Sequence, residues 1–337
     1  MPAQWEPQAA VWLSWPHNLE TWPSNLVQAQ AEFTQLVKTI AATQPVFVLA
    51  ASSTDQQVFR LAQQTLGKIS NVTVLNIPTN DAWARDYAPT FVTDSAGNTI
   101  AIDWHYNAWG GKYPPFDDDQ KVCSAVAKYL KIESVAPGFC FEGGAIDVNG
   151  SGVLLSTKSC ALNPNRNPDI ELESVDAILA QHLGTSKHIW LTGEAIQGDD
   201  TDGHIDQLAR FTDEKTIVYA WTEHENDPQL AGLKQNRDDL QRELKLAQLE
   251  GFRLIPLPIP AKIEHCQRRI PASYCNFLIT NELVIVPQFG QPEDKQAIEI
   301  LASLFESRQT IGLDSLNLSV GLGSFHCLSQ QQPGVGA

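Results

Sequence analysis

The stretch His204-Ile-Asp-Gln-Leu-Ala-Arg-Phe-Thr-Asp-Glu-Lys-Thr-Ile-Val-Tyr-Ala-Trp221 reads as two short strands folded about the polar turn Thr212-Asp-Glu-Lys215. Branched and aromatic residues on both sides of a polar break are the pattern of an antiparallel hairpin. Helical spacing follows at Asp227–Leu249. The same succession recurs along the chain. Arg85–Trp104 turns at Asp94-Ser-Ala-Gly-Asn98, Glu142–Thr157 at Asn149-Gly150, and Asn276–Pro287 at Thr280-Asn-Glu282. Helix-spaced segments lie between them at Asp117–Leu130, Asp169–Leu183 and Glu293–Phe305, the last opening behind Pro292. Near the N-terminus, Ser24 stands where a cap would, before a run with Leu26, Phe33, Leu36, Val37 and Ile40 on one side. Alternating hairpins and helices predict an α/β protein built from repeated units.

The first strand of each unit is expected to open on polar residues: Asp86, Glu142, His204 with Asp206, and Asn276, with a last unit opening at His326-Cys327. If the units share an axis, these five starts converge on one central site. The plainer alternative is that polar residues mark loop-to-strand junctions.

Composition narrows the partners. The 337 residues are 43% apolar and 18% charged, which suits a packed core and excludes a disordered chain. A net charge of −16 disfavours nucleic acid and anionic membrane and favours a cationic ligand. Nine Trp add candidate walls for a flat cation. The longest apolar runs, near Val46–Ala51 and Leu283–Val286, are too short to span a bilayer, and the first residues lack the basic start and apolar run of a signal peptide. Six scattered cysteines without a Cys-x-x-Cys pair argue against a disulfide scaffold or a Cys-rich zinc site, and predict a reducing, cytoplasmic setting. No linker or low-complexity tract divides the chain, so composition places no domain boundary.

Four clusters could carry chemistry. Gly198-Asp-Asp-Thr-Asp-Gly-His-Ile-Asp206 is the densest; on a strand, His204 and Asp206 would share a face. It reads either as a metal-ligating set or as an acidic turn. Asn80-Asp-Ala-Trp-Ala-Arg-Asp86 offers either a surface Arg85–Asp86 pair or a Trp-walled slot for a planar cation. In Phe141-Glu-Gly-Gly-Ala145, two glycines permit a close backbone approach. Gly321-Leu-Gly-Ser-Phe-His-Cys327 places a cysteine after a glycine-rich bend, where a thiolate nucleophile could stand. Together these parts suit a guanidinium: two carboxylates chelate its N–H groups, a thiolate attacks its carbon, and a His protonates departing ammonia and then activates water.

Several segments resemble agmatine deiminase, a family of the peptidylarginine deiminase-like guanidine-modifying superfamily. They are Trp12-Leu-Ser-Trp-Pro16, Asn80–Asp86, Asp103-Trp-His-Tyr-Asn-Ala-Trp-Gly-Gly-Lys-Tyr113, Phe141–Gly144, Asn163-Pro-Asn-Arg-Asn-Pro168, Gly198–Asp206, Val286-Pro-Gln-Phe-Gly290 and the Cys327 tail. The resemblance runs over essentially the whole chain. It implies a five-unit α/β propeller of the pentein type, with pseudo-fivefold repeats, a central active site and a single catalytic domain over 1–337. It also implies hydrolysis of agmatine to N-carbamoylputrescine and ammonia through a covalent amidino-cysteine. By motif, Cys327 would be the nucleophile, His204 the general acid/base, and Asp86 and Asp206 the guanidinium carboxylates. Glu142 would bind or orient substrate, Asp200 would bind agmatine, and Asn276 and Trp83 would be supporting or wall residues. No metal or organic cofactor is implied, and a homo-oligomer is.

The family tail Gly-Gly-Gly-Asn-Ile-His-Cys is altered here at Leu322 and Ser324, which is expected to reshape the pocket rim. Ala88 replaces a Gly, a change expected to matter only if that backbone needs positive φ. The rival readings are a deiminase of arginine or peptidyl-arginine, a non-catalytic polyamine-binding protein, and a metal-dependent hydrolase built on Asp199–Asp206.

Overall fold

The computed structural model describes residues 1–194 and 196–334. Among them are five sheets of three or more strands, four of which repeat one plan, in which an antiparallel hairpin is followed by a helix and a strand parallel to the second. Thr90–Thr93 and Thr99–Ile102 pair with Glu133–Val135 across the helix Val122–Leu130. Asp147–Val148, Val153–Thr157 and Lys187–Leu191 follow suit across Leu172–Leu183. Ala209–Asp213, Thr216–Trp221 and Arg253–Pro258 do so across Leu230–Leu246, and Leu278–Ile279, Leu283–Gln288 and Gln309–Asp314 across Glu293–Leu304.

The remaining sheet joins the two ends of the chain. Ser329–Pro333 lies antiparallel to Gln8–Ser14, which runs parallel to Val46–Ala51, and that in turn to Val72–Pro78. Central strands such as Leu283-Val-Ile-Val-Pro-Gln288 are nearly continuous apolar runs because both of their faces are covered. The helix Leu26–Ala41 turns Phe33, Leu36, Val37 and Ile40 inward, as its spacing predicts. Its N-cap is Asn25, without a side-chain cap bond; Ser24 instead bonds the His265 ring at 2.9 Å.

The polar openings are not strand starts. Each sits in, or caps, a single helical turn just ahead of its hairpin: Asp86 in Ala84–Tyr87, Glu142 before Gly143–Ala145, His204 before and Asp206 in Ile205–Gln207, and Asn276 in Tyr274–Asn276. A turn serves better than a strand, because it tips short side chains off the sheet end toward the next unit. Successive turns touch in chain order, and Ala84–Tyr87 packs on Ser329–Pro333, immediately beyond Cys327. His204 and Asp206 therefore meet through a 3-10 turn, not through strand alternation. All six cysteines are free. Among the described residues, no helix is long and apolar enough to cross a membrane.

Candidate active site

Cys327 owes its place to Asn276. One amide oxygen of Asn276 accepts the backbone N–H groups of Ser324, His326 and Cys327 at 3.1–3.2 Å, while its Nδ2 donates to Cys327 Sγ at 3.0 Å. Three donors on one acceptor hold the bend rigid, so the sulfur stands at a defined point. Gly323 is required by space: a Cβ there would lie 2.4 Å from the Trp83 ring and 3.0 Å from Cys327 Cβ.

Two carboxylates flank the sulfur. Asp206 Oδ2 lies 3.4 Å from Sγ and accepts His326 Nδ1 at 2.8 Å, whereas its buried Oδ1 has no partner. Burial, together with Arg210 and Arg85, holds His326 well below the usual histidine range, so that contact is a hydrogen bond from a neutral ring and not an ion pair. Asp86 accepts the Gly144 N–H at 2.9 Å and the Trp109 indole N–H at 3.0 Å. Burial raises both carboxyls, Asp206 to about 6, against the pull of His204.

His204 stands between carboxylates. Its Nδ1 is 3.7 Å from Asp86 Oδ1 and its Nε2 3.5 Å from Glu142 Oε2. Neither ring nitrogen has a hydrogen-bond partner, although the residue is 1% exposed. Burial works against its charge, but Asp86, Cys160 and Glu142 outweigh that and hold the imidazole well above its usual range. Glu142 is held low in spite of burial by His204 and by Arg166, whose Nε donates to Oε1 at 2.6 Å. The two glycines of Phe141–Ala145 have their reason here. A Cβ on Gly144 would come within 2.5 Å of His204 Nδ1 and 2.6 Å of Asp86 Oδ1, and one on Gly143 within 2.1 Å of the Arg85 carbonyl.

Above this cluster lies a cavity of about 440 Å³. Cys327, Asp86, Trp83 and Asp200 line it, together with Glu20, Asp55, Asp81 and Asp118. Asp206, His204, Glu142 and Asn276 lie behind its floor. Asp200 is held by the Tyr113 hydroxyl and by Arg268 at 3.5 Å. Leu322 is on the rim at φ 78, where a side chain is strained, while Ala88 is extended at φ −76 and tolerates its Cβ.

Some residues escaped the sequence reading. Arg85 is no surface ion: it is 2% exposed and donates to the His326 carbonyl and to Gln330 and Gln331. Trp109, His326 and Arg166, which grip Asp86, Asp206 and Glu142, lie inside the family-like motifs but carry no role that residue type alone suggests. For Trp109 a signal existed, since Gly110-Gly111 behind it marks irregular backbone; Ala108 and Trp109 are themselves left-handed, at φ 53 and 56. The acidic loop scatters its carboxylates. Asp199 accepts from Thr201 and Gly203, and Asp202 from Arg166 and Lys112. Among the described residues, Glu142, Cys160 and His204 could offer three ligand atoms within 4.8 Å to a metal, but the Arg166 cation beside Glu142 opposes a second one.

Known proteins bear on this arrangement. The family profile of the Porphyromonas-type peptidyl-arginine deiminases matches residues 1–333. The agmatine deiminase of Pseudomonas putida F1 is 35% identical over 359 residues, covering 99% of this chain and 95% of its own. A solved agmatine deiminase of Enterococcus faecalis superposes with a TM-score of 0.91 at 32% identity, over 100% of this chain and 96% of that one. A cysteine-to-serine variant of the C. jejuni agmatine deiminase with substrate bound gives 0.90 at 32%, over 99% and 96%.

Proposed function

The chain belongs to the Porphyromonas-type peptidyl-arginine deiminase family and, within it, to the agmatine deiminases, and from that premise we propose that it hydrolyses agmatine to N-carbamoylputrescine and ammonia at Cys327. The observation that carries the reading is the meeting of a thiol and a carboxylate on the floor of an acid-lined cavity with a second carboxylate and a protonated imidazole just behind it. A dication with a flat head fits that field at both ends. The guanidinium settles on Asp86 and Asp206, and the distal ammonium lies toward Asp200, where the carboxylate of arginine would be repelled.

Burial first, then Asp206 and Asp86, keep the Cys327 thiol well above its usual range, so it rests neutral. A guanidinium on those carboxylates removes their opposition to the thiolate. Binding thus makes the nucleophile, and the released proton is the one that ammonia later carries away as ammonium. The sulfur adds to the guanidine carbon, and His204 gives its proton to the departing nitrogen. The amidino-cysteine left behind is attacked by water, whose proton returns to His204. Collapse then expels the thiolate and releases the ureido product, and the remaining proton of that water returns to sulfur and restores the resting thiol. Four sheets of one plan, a fifth that makes the same antiparallel and parallel pairings across the two chain ends, and opening turns that touch in succession support a five-unit propeller with the site on its axis and 1–337 as one catalytic unit.

The test is to incubate the protein with agmatine and measure ammonia and ureido product, beside Cys327→Ala and an arginine control. Turnover of agmatine that the variant loses by at least about 10⁴-fold is expected. Turnover of arginine in place of agmatine would keep the chemistry and overturn the substrate, and silence with both would overturn the reaction.

A further inference from the structure

Arg166 takes no part in the steps above, yet its side chain is fully buried and it makes more polar contacts than any reacting group. Its Nε meets Glu142 Oε1 at 2.6 Å, NH1 meets Asp202 Oδ2 at 2.5 Å and Asn165 Oδ1 at 2.8 Å, and NH2 meets the Thr201 carbonyl at 3.0 Å. One face of the guanidinium therefore grips the partner of His204, and the other grips the loop that carries both Asp200 and His204. Lys112 extends the link, with Nζ at 2.8 Å from Asp202 Oδ2 and 2.5 Å from the Asp200 carbonyl.

We propose that Arg166 is a positioning residue of this reaction: by occupying one oxygen of Glu142 it aims the other at His204, and through Asp202 it ties that acid/base to the loop bearing Asp200. The inference rests on the agmatine-hydrolysing reading. A planar fork can serve two carboxylates and a carbonyl in one orientation, which an ammonium cannot. Without it, Glu142 is a buried carboxylate whose remaining neighbours are Cys160, at 3.6 Å, and His204, so it takes up a proton or turns away. His204 then has less to hold its charge. The groups that face it are Asp86, Glu142 and Cys160 in contact, with Asp199, Asp206 and His326 in its wider field.

The experiment compares Arg166→Gln, Arg166→Lys and Asp202→Asn with the natural protein in agmatine turnover across pH. Arg166→Gln is expected to lower kcat about 100-fold with KM within about threefold, the size of effect that a displaced acid/base produces. Its high-pH limb of kcat should move to lower pH, because imidazolium is lost sooner. Arg166→Lys should return the limb toward its natural position and recover part of kcat. Asp202→Asn, at a half-buried site whose left-handed backbone also suits asparagine, should cost about 10-fold in kcat. A uniform loss in Arg166→Gln with the limb unmoved, a change in KM alone, or an Asp202→Asn variant at full rate would overturn the proposal. Failure of the natural protein to turn over agmatine would instead overturn the reading beneath it.

Discussion

Cys327 and His204 are buried in one cluster, in the field of the same two carboxylates, and they end in opposite states. For Cys327, burial, Asp206 and Asp86 all act together against the thiolate. For His204, burial is opposed by Asp86, Cys160 and Glu142, and the neighbours win. A negative field stabilises imidazolium and penalises thiolate, so a single arrangement keeps the acid loaded and the nucleophile quiet. A guanidinium entering between Asp86 and Asp206 eases loss of the proton from sulfur, while His204 keeps Glu142 beside it and stays loaded to protonate the departing nitrogen. The resting site is thus protected from stray thiol chemistry until a cation arrives.

Removing one of the shared carboxylates breaks the contrast most severely. Asp86→Asn should lose about 10³-fold in kcat/KM, as expected when one partner of a buried charge pair is neutralised. It should also lower the titration of both groups. Alkylation of Cys327, expected in the natural protein only above the usual thiol range, should begin at lower pH, and the His204 ring, followed by NMR, should lose its proton earlier. Movement of the two in opposite directions would refute the shared field.

Gly144→Ala tests the geometry instead of the charge. The added methyl must push apart His204 Nδ1 and Asp86 Oδ1, and a loss of about 100-fold in kcat is expected. Steady-state assays beside the natural protein read it, and full activity would mean that the approach of Gly144 is not needed. The smallest effect belongs to the rim. Leu322→Gly relieves about 1 kcal/mol of left-handed strain but gives the unfolded chain more freedom, so thermal unfolding should shift little. The KM for agmatine should rise a few-fold as the rim loses an apolar wall; an unchanged KM would show that Leu322 does not touch the substrate.

Local patterns carried well into three dimensions. The turn at Thr212–Lys215 does separate Ala209–Asp213 from Thr216–Trp221, and Leu230–Leu246 falls within the helical spacing that follows. These features depend on neighbours a few positions apart. The single-turn helices did not carry, because three or four residues such as Ile205–Gln207 hold no period to read. Arg85 was legible only as a charge, since the groups its guanidinium bonds lie more than 240 residues away in the chain.

By itself the amino-acid sequence determined the hairpin-and-helix order of the units and the chemical groups at their openings: Asp86, Glu142, His204, Asp206, Asn276 and Cys327. Those are properties of residue type and short-range spacing. Only the tertiary structure decided that Asn276 holds the nucleophile bend, that Glu142 faces Arg166 and His204 instead of the cavity, and that Cys327 is neutral where His204 is charged. Protonation follows from burial and from the sign of nearby charge, and both arise from contacts between segments that are brought together only when the chain closes on itself.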